Sequence, residues 1–200
     1  MKSLKTLGLA VLAATSIMAF AASSASATTL EIKGVTQTGP VTITASLKSG
    51  NSTILKDTSG FSQNTCTSSD MHGITTIFTG TAVTGPFTEH GGPNPSAGFS
   101  LSGCTRTVTI HDPGTFEIVW ISGTTNGTVY FENTQVTSGS PIGTLNCTTG
   151  ATTHIGTLTG VSSGHATLHI NALINCGIIP SAKWEGTYTV TSPEGLGVHP

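Results

Sequence analysis

The chain has 200 residues, and only 8% of them are Asp, Glu, Lys or Arg, against roughly 25% in ordinary soluble proteins. A formal charge of −2, with neither a basic run nor an acidic tail, excludes the electrostatic footprint that nucleic-acid binding needs. Apolar residues make up 36%, but 17 of them fall within residues 1–27, so the remainder is only about 32% apolar. Threonine fills the gap, with 36 of its 38 copies after residue 27, a composition that favours strands and turns over helices.

Lys2 and Lys5 precede an apolar stretch from Leu7 to Ala22, and Ala25, Ser26 and Ala27 follow. A short cationic start, an apolar run below the roughly 20 residues of a membrane span and an Ala-x-Ala end describe a secretory signal of bacterial type, cleaved before Thr28. Residues 28–200 then form one exported domain, periplasmic or extracellular, with no later transmembrane segment. Any division of that domain falls within residues 85–98, where prolines and glycines concentrate.

Strand signals recur every eight to twelve residues along the mature chain, and no stretch keeps the 3.6-residue apolar period of a helix. The prediction is an all-β fold, an antiparallel β-sandwich of about ten strands. Val41, Ile43, Ala45 and Leu47 alternate with hydroxyl residues, and Ser49, Gly50 and Asn51 turn the chain toward Ile54 and Leu55 as a hairpin. A further strand is expected over 74–83. Asp112, Pro113, Gly114 and Thr115 fit a type II turn, predicted to set Val108 opposite Val119 and Ile110 opposite Glu117. Phe116, Ile118 and Trp120 oppose Val119 and Ile121 across the next strand, as in a central strand of a sandwich. Asn126 and Gly127 then turn the chain into Val129, Tyr130 and Phe131. Ile142 to Leu145 reappears as Ile155 to Leu158, and Asn146 with Cys147 is echoed by Asn175 with Cys176, so these read as neighbouring strands built alike. The core is expected around Trp120 and Trp184.

Export gives the four cysteines a meaning. An even number in an oxidising compartment implies disulfides. Of the three connectivities, Cys66 with Cys104 and Cys147 with Cys176 is favoured, because each pair closes a loop within its own half. Zinc-type cysteine spacing is absent.

The chemistry-bearing residues are few enough to audit. There is no nucleophile elbow, metalloprotease motif, phosphate loop or dinucleotide fingerprint, and no cofactor is implied. His165 and His169 alternate on a strand, which puts them roughly 13 Å apart, too far for one metal ion, and His154, on the preceding strand, is expected to approach one of them. The best polar clusters are Asp70 with His72, and Glu89 with His90 beside two glycines; a site, if present, is expected around the Glu89 and His90 loop. The T-x-T pairs at Thr42, Thr107, Thr157 and Thr187 evoke ice-binding arrays, but their irregular spacing makes no ladder. A low aromatic content, 6%, and four cysteines argue against an outer-membrane barrel.

The segments Gly143 to Thr148, His154 to Gly160, Gly164 to Cys176 and Lys183 to Val198 resemble exported bacterial proteins without an assigned activity. The signal and the cysteine-bearing β pattern are more distantly similar to the exported activator of alkane oxidation. The resemblance implies an accessory or surface role and carries over no functional residues. The sequence thus points to a secreted, non-enzymatic binding or structural protein of the cell envelope or extracellular layer, self-association included. The alternative is a secreted hydrolase or small-molecule-binding enzyme with its site at Glu89 and His90, joined by Asp70 and His72.

Overall fold

The computed structural model describes residues 27–88 and 98–200, so the segment to Ser26, expected to be a secretory signal, lies outside the described residues. The expected class is borne out: the fold is all-β and antiparallel, stapled by Cys66–Cys104 and Cys147–Cys176. Its strands are β1 (Thr28–Ile32), β2 (Val35–Thr36), β3 (Thr42–Leu47), β4 (Thr53–Lys56), β5 (Ser62–Ile74), β6 (Thr79–Gly80), β7 (Val83–Pro86), β8 (Phe99–Cys104) and β9 (Val108–Asp112). They continue as β10 (Thr115–Trp120), β11 (Gly127–Glu132), β12 (Gln135–Ser140), β13 (Gly143–Thr148), β14 (Thr153–Thr159), β15 (Thr167–Cys176), β16 (Ile179–Ser192) and β17 (Leu196–His199). The segments outnumber the sequence estimate because several are two- to four-residue pieces that pair with longer neighbours.

The main sheet runs β5-β3-β16-β15-β14-β11-β10-β7. It curls until a bridge between Gly73 and Phe87 brings its two ends together. Gly73 lets the Phe116 ring pack against β5 there, since a Cβ would sit 2.5 Å from that ring. Strict alternation along β15 and β16 puts Leu168, Ile170, Tyr188 and Val190 inside and threonines outside, the period-2 consequence of a pleated strand with one buried face. At the other end the structure layers as a sandwich. β9, β12 and β13 form a second sheet that lies over β4, β5 and β8, with Asn64 reaching across to Ser138 at 3.0 Å. A small sheet of β17, β1, β2 and β6 completes the fold.

Three local expectations are corrected. β3 and β4 are not a hairpin: both run antiparallel to β5 on one side and to β16 on the other. β5 and β16 are long enough to span both, and the turn at 48–52 is an outward excursion, pinned where Lys48 N–H donates to Thr187 O at 2.9 Å. The segment 74–83 is not one strand but doubles back, with Thr84 and Ile77 exchanging backbone bonds of 2.9 and 3.1 Å.

The third correction concerns the turn at Asp112 to Thr115. Gly114 has φ of 71°, as type II requires, yet β9 pairs with β12 while β10 pairs with β11 and β7. A type II turn splays the strands it joins, whereas two-residue hairpins use the primed turns that match strand twist. Pro113–Gly114 is therefore a corner between sheets. Thr134 Oγ1 donates to Pro113 O at 2.9 Å and holds it.

The core centres on Trp184, whose ring centroid lies 5.6 Å from Phe99 and 6.0 Å from Phe131. Trp120, expected to share that role, is only half-buried at the end of the curled sheet, where its Nε1–H donates to Thr124 O. The two Asn-Cys segments lie side by side: β13 meets β15 at Thr148 opposite Asn175, beside the Cys147–Cys176 bond.

Candidate functional site: the outer face of the curled sheet

Of the polar residues singled out in the sequence, Asp70 and His72 come together on one face of β5. Ser46 Oγ donates to Asp70 Oδ1 at 2.6 Å, and His72 Nδ1 shares a 3.3 Å hydrogen bond with Thr44 Oγ1. Glu89 and His90 lie outside the described residues. The described residues flanking that segment stand beside His72: Thr88 N–H donates to His72 O at 3.0 Å, and a Cβ on Gly98 would approach Thr88 N to 2.4 Å.

Histidines elsewhere have protein partners. His165 Nδ1 bonds to Val190 O at 2.8 Å, His169 shares a 3.2 Å bond with Thr187 Oγ1, and His154 packs edge-on against Tyr130. Among the described residues no three His, Cys, Asp or Glu side chains converge as metal ligands.

Most described carboxylates are likewise engaged. Asp57 accepts from Ser59 Oγ and from the Ser59 and Phe61 amides around a tight turn, and Asp112 accepts from Gly114 N–H. Glu185 lies between Lys183, at 2.6 Å, and Lys56. Hydrogen bonds from Lys183 first and Lys56 second hold its carboxyl below the usual range. That pair contributes stability above the ordinary glutamate range, lost as pH falls through the folded-state value.

Glu117 behaves oppositely. Partial burial, reinforced by the neighbouring Glu132 carboxylate, pushes its carboxyl up. A group that holds its proton more tightly when folded loses stability for the fold as pH rises through its two values. Glu117→Gln is therefore expected to raise the melting temperature at pH 7. The gain should vanish below about pH 4, where the carboxyl is protonated in both states; thermal melts at the two pH values check this.

What the sequence did not disclose is the cross-strand order of the hydroxyl residues. Register aligns Ser100, Asp70, Ser46, Thr189, Thr167 and Thr159 into one row across six strands. A second row holds Thr187, His169, Thr157 and Thr128 across four. Only Asp70 in these ten positions carries a fixed charge. Irregular spacing along the chain hid the rows, because bulges and loops of different length separate strands that end up in register. The rows are not an ice-type plane: the sheet that carries them curls until Gly73 meets Phe87, so the face is convex.

No protein-family model, no curated protein and no solved structure matches this chain.

Proposed function

We propose that the chain is an exported, non-enzymatic binding or structural protein of the cell envelope or extracellular layer, and that the convex hydroxyl face is the surface it presents to neutral, hydroxyl-rich polymer. The two cross-strand rows carry this reading. Threonine, serine and histidine side chains in register offer donors and acceptors at the roughly 4.8 Å strand spacing, with almost no fixed charge to select an ionic partner. The disulfides are consistent with a non-cytoplasmic, oxidising location. β1 begins at Thr28, so cleavage after Ala27 leaves every described strand whole. Among the described residues no helix is long and apolar enough to cross a membrane.

The test is retention of the purified mature chain on insoluble cellulose and chitin, alongside fractionation of supernatant, periplasm and envelope. Retention should survive 0.5 M salt, since neutral hydrogen bonds are little screened at about that ionic strength. Thr159→Lys combined with His169→Lys, both at exposed positions, should reduce retention at least about tenfold without lowering the melting temperature. Equal retention of the variant, failure on every polymer and envelope fraction, or recovery in the cytoplasm with an uncut N-terminus overturns the reading.

A further inference from the structure

The bond expected to be cut on export and the first strand of the fold share a boundary. Ala27 is exposed, whereas the next three residues, Thr28, Thr29 and Leu30, are buried, Thr28 and Leu30 completely. β1 has neighbours on both edges: β17 pairs with Thr29 to Ile32, and on the other edge β6 pairs with Thr28 and Thr29 and β2 with Glu31 and Ile32. The Thr28 hydroxyl is engaged twice, donating to Thr81 O at 3.1 Å and accepting from Trp120 N–H at 3.0 Å. Leu30 belongs to the core with Val83, Leu196 and Val198. The first residues of most domains are poorly ordered unless a strand ties them down, and here the tie begins at Thr28 itself.

That placement conflicts with proteolysis at the same bond. A peptide held in a cleft as an added strand gives its backbone groups to the cleft, so cutting between Ala27 and Thr28 needs Thr28 and Thr29 free of other strands. In the fold both already pair with β6, and Thr29 also with β17. One N–H and one C=O per residue cannot serve a sheet and a peptidase together. Distance is a second obstacle. Only the five residues from Ser23 to Ala27 separate the apolar stretch from β1, and five residues reach at most about 18 Å. A small domain is about 30 Å across, so a docked β1 leaves no room for a peptidase between the membrane and the body of the protein.

We infer that β1 decides release of the chain: the leader is removed only while β1 is undocked, and a precursor that docks β1 first keeps its leader and stays at the membrane. The step is hydrolysis of the Ala27–Thr28 peptide bond by a membrane-bound leader peptidase, with water supplying the hydroxyl to the Ala27 carbonyl carbon and a proton to the Thr28 amine. This order of events rests on the reading of residues 1–27 as a cleaved leader, and it is independent of the proposed polymer surface.

The experiment incubates the full-length precursor in detergent, with both disulfides formed, with a bacterial leader peptidase and follows intact mass. The reduced and alkylated chain should be cut after Ala27, and the folded precursor at least about tenfold more slowly, because cutting then waits on local opening of β1. Inserting Thr-Thr-Gly-Ser-Gly-Ser between Ala27 and Thr28 keeps the residues around the bond and moves it clear of the sheet. That folded precursor should be cut at least about tenfold faster than the folded parent. Folded Leu30→Ala, which loosens β1, should also be cut at least about tenfold faster. Should the reduced chain aggregate, the folded parent against the folded insertion chain decides the matter. A folded parent cut as fast as the reduced or insertion chain overturns the order of events while leaving the leader reading intact, and so does an insertion chain as resistant as the parent. No cut after Ala27 in any form overturns the leader reading and the order of events with it.

Discussion

Replacing Cys66 and Cys104 together by alanine is expected to cost about 4 kcal/mol of folding stability, and replacing Cys147 and Cys176 about 3.5 kcal/mol, from the loop-closure entropy each bond removes from the unfolded chain. The bonds span 38 and 29 residues, and their independence follows from their positions: one ties β5 to β8, the other β13 to β15. Native domains hold only about 5–15 kcal/mol in total, and the apolar content after residue 27 is low for a domain of this size. Either double variant should fold with a lowered denaturation midpoint, and the variant lacking both bonds should be unfolded at 37 °C. Chemical denaturation followed by fluorescence measures this. A loss below about 1 kcal/mol in both double variants would show that the layers hold themselves without the staples.

Gly114→Ala is expected to lower stability by about 3 kcal/mol or more. Two penalties coincide there. Its φ of 71° disfavours any side chain, and the new Cβ would lie 2.0 Å from Glu132 O and 2.8 Å from Thr134 N. Those backbone atoms cannot retreat without opening the contact that Thr134 makes with Pro113 O. Gly50→Ala separates the two effects: its φ is 77°, but nothing lies within 4 Å of the added methyl. It should cost only about 1 kcal/mol. Equal losses at the two positions in urea titrations would show that the corner between sheets is not as tightly built as described.

The corner at Gly114 also shows where sequence reading stops. The positive-φ glycine and the turn type were legible from Asp-Pro-Gly-Thr. Which strands the turn connects was not, because pairing depends on partners such as β12, which follows β9 by more than twenty residues. The same limit applies to β3 and β4, whose alternation predicted one buried face correctly while the long strands that flank both lay elsewhere in the chain. The disulfide pairs were readable because four cysteines leave three connectivities and one of them closes a short loop within each half of the chain. Burial of Trp184 and exposure of part of Trp120 were not separable, since both stand in alternating apolar runs. For the candidate surface, threonine abundance was plain, but its order arises only when Thr189, Thr167 and Thr159 meet in register. Asp70 and His72 stood out as a polar pair, but the strand that carries both was not anticipated, and their partners Ser46 and Thr44 come from the neighbouring strand β3.

The bridge between Gly73 and Phe87 bears on how copies of this protein can meet. A twisted open sheet ends in rows of unpaired backbone groups, which template pairing with another chain and are a common route to fibrils. Here β5 is flanked on both sides along its length, by β3 and β4 on one and by β8 and Phe87 on the other. β7, at the far end of the run, is only four residues long and is further covered where Thr84 pairs with Ile77. The broad sheet therefore lacks a long bare rim, and packing of this protein into an extracellular layer would have to be specified by side chains and by shape, with strand-by-strand growth of the main sheet suppressed by its own closure.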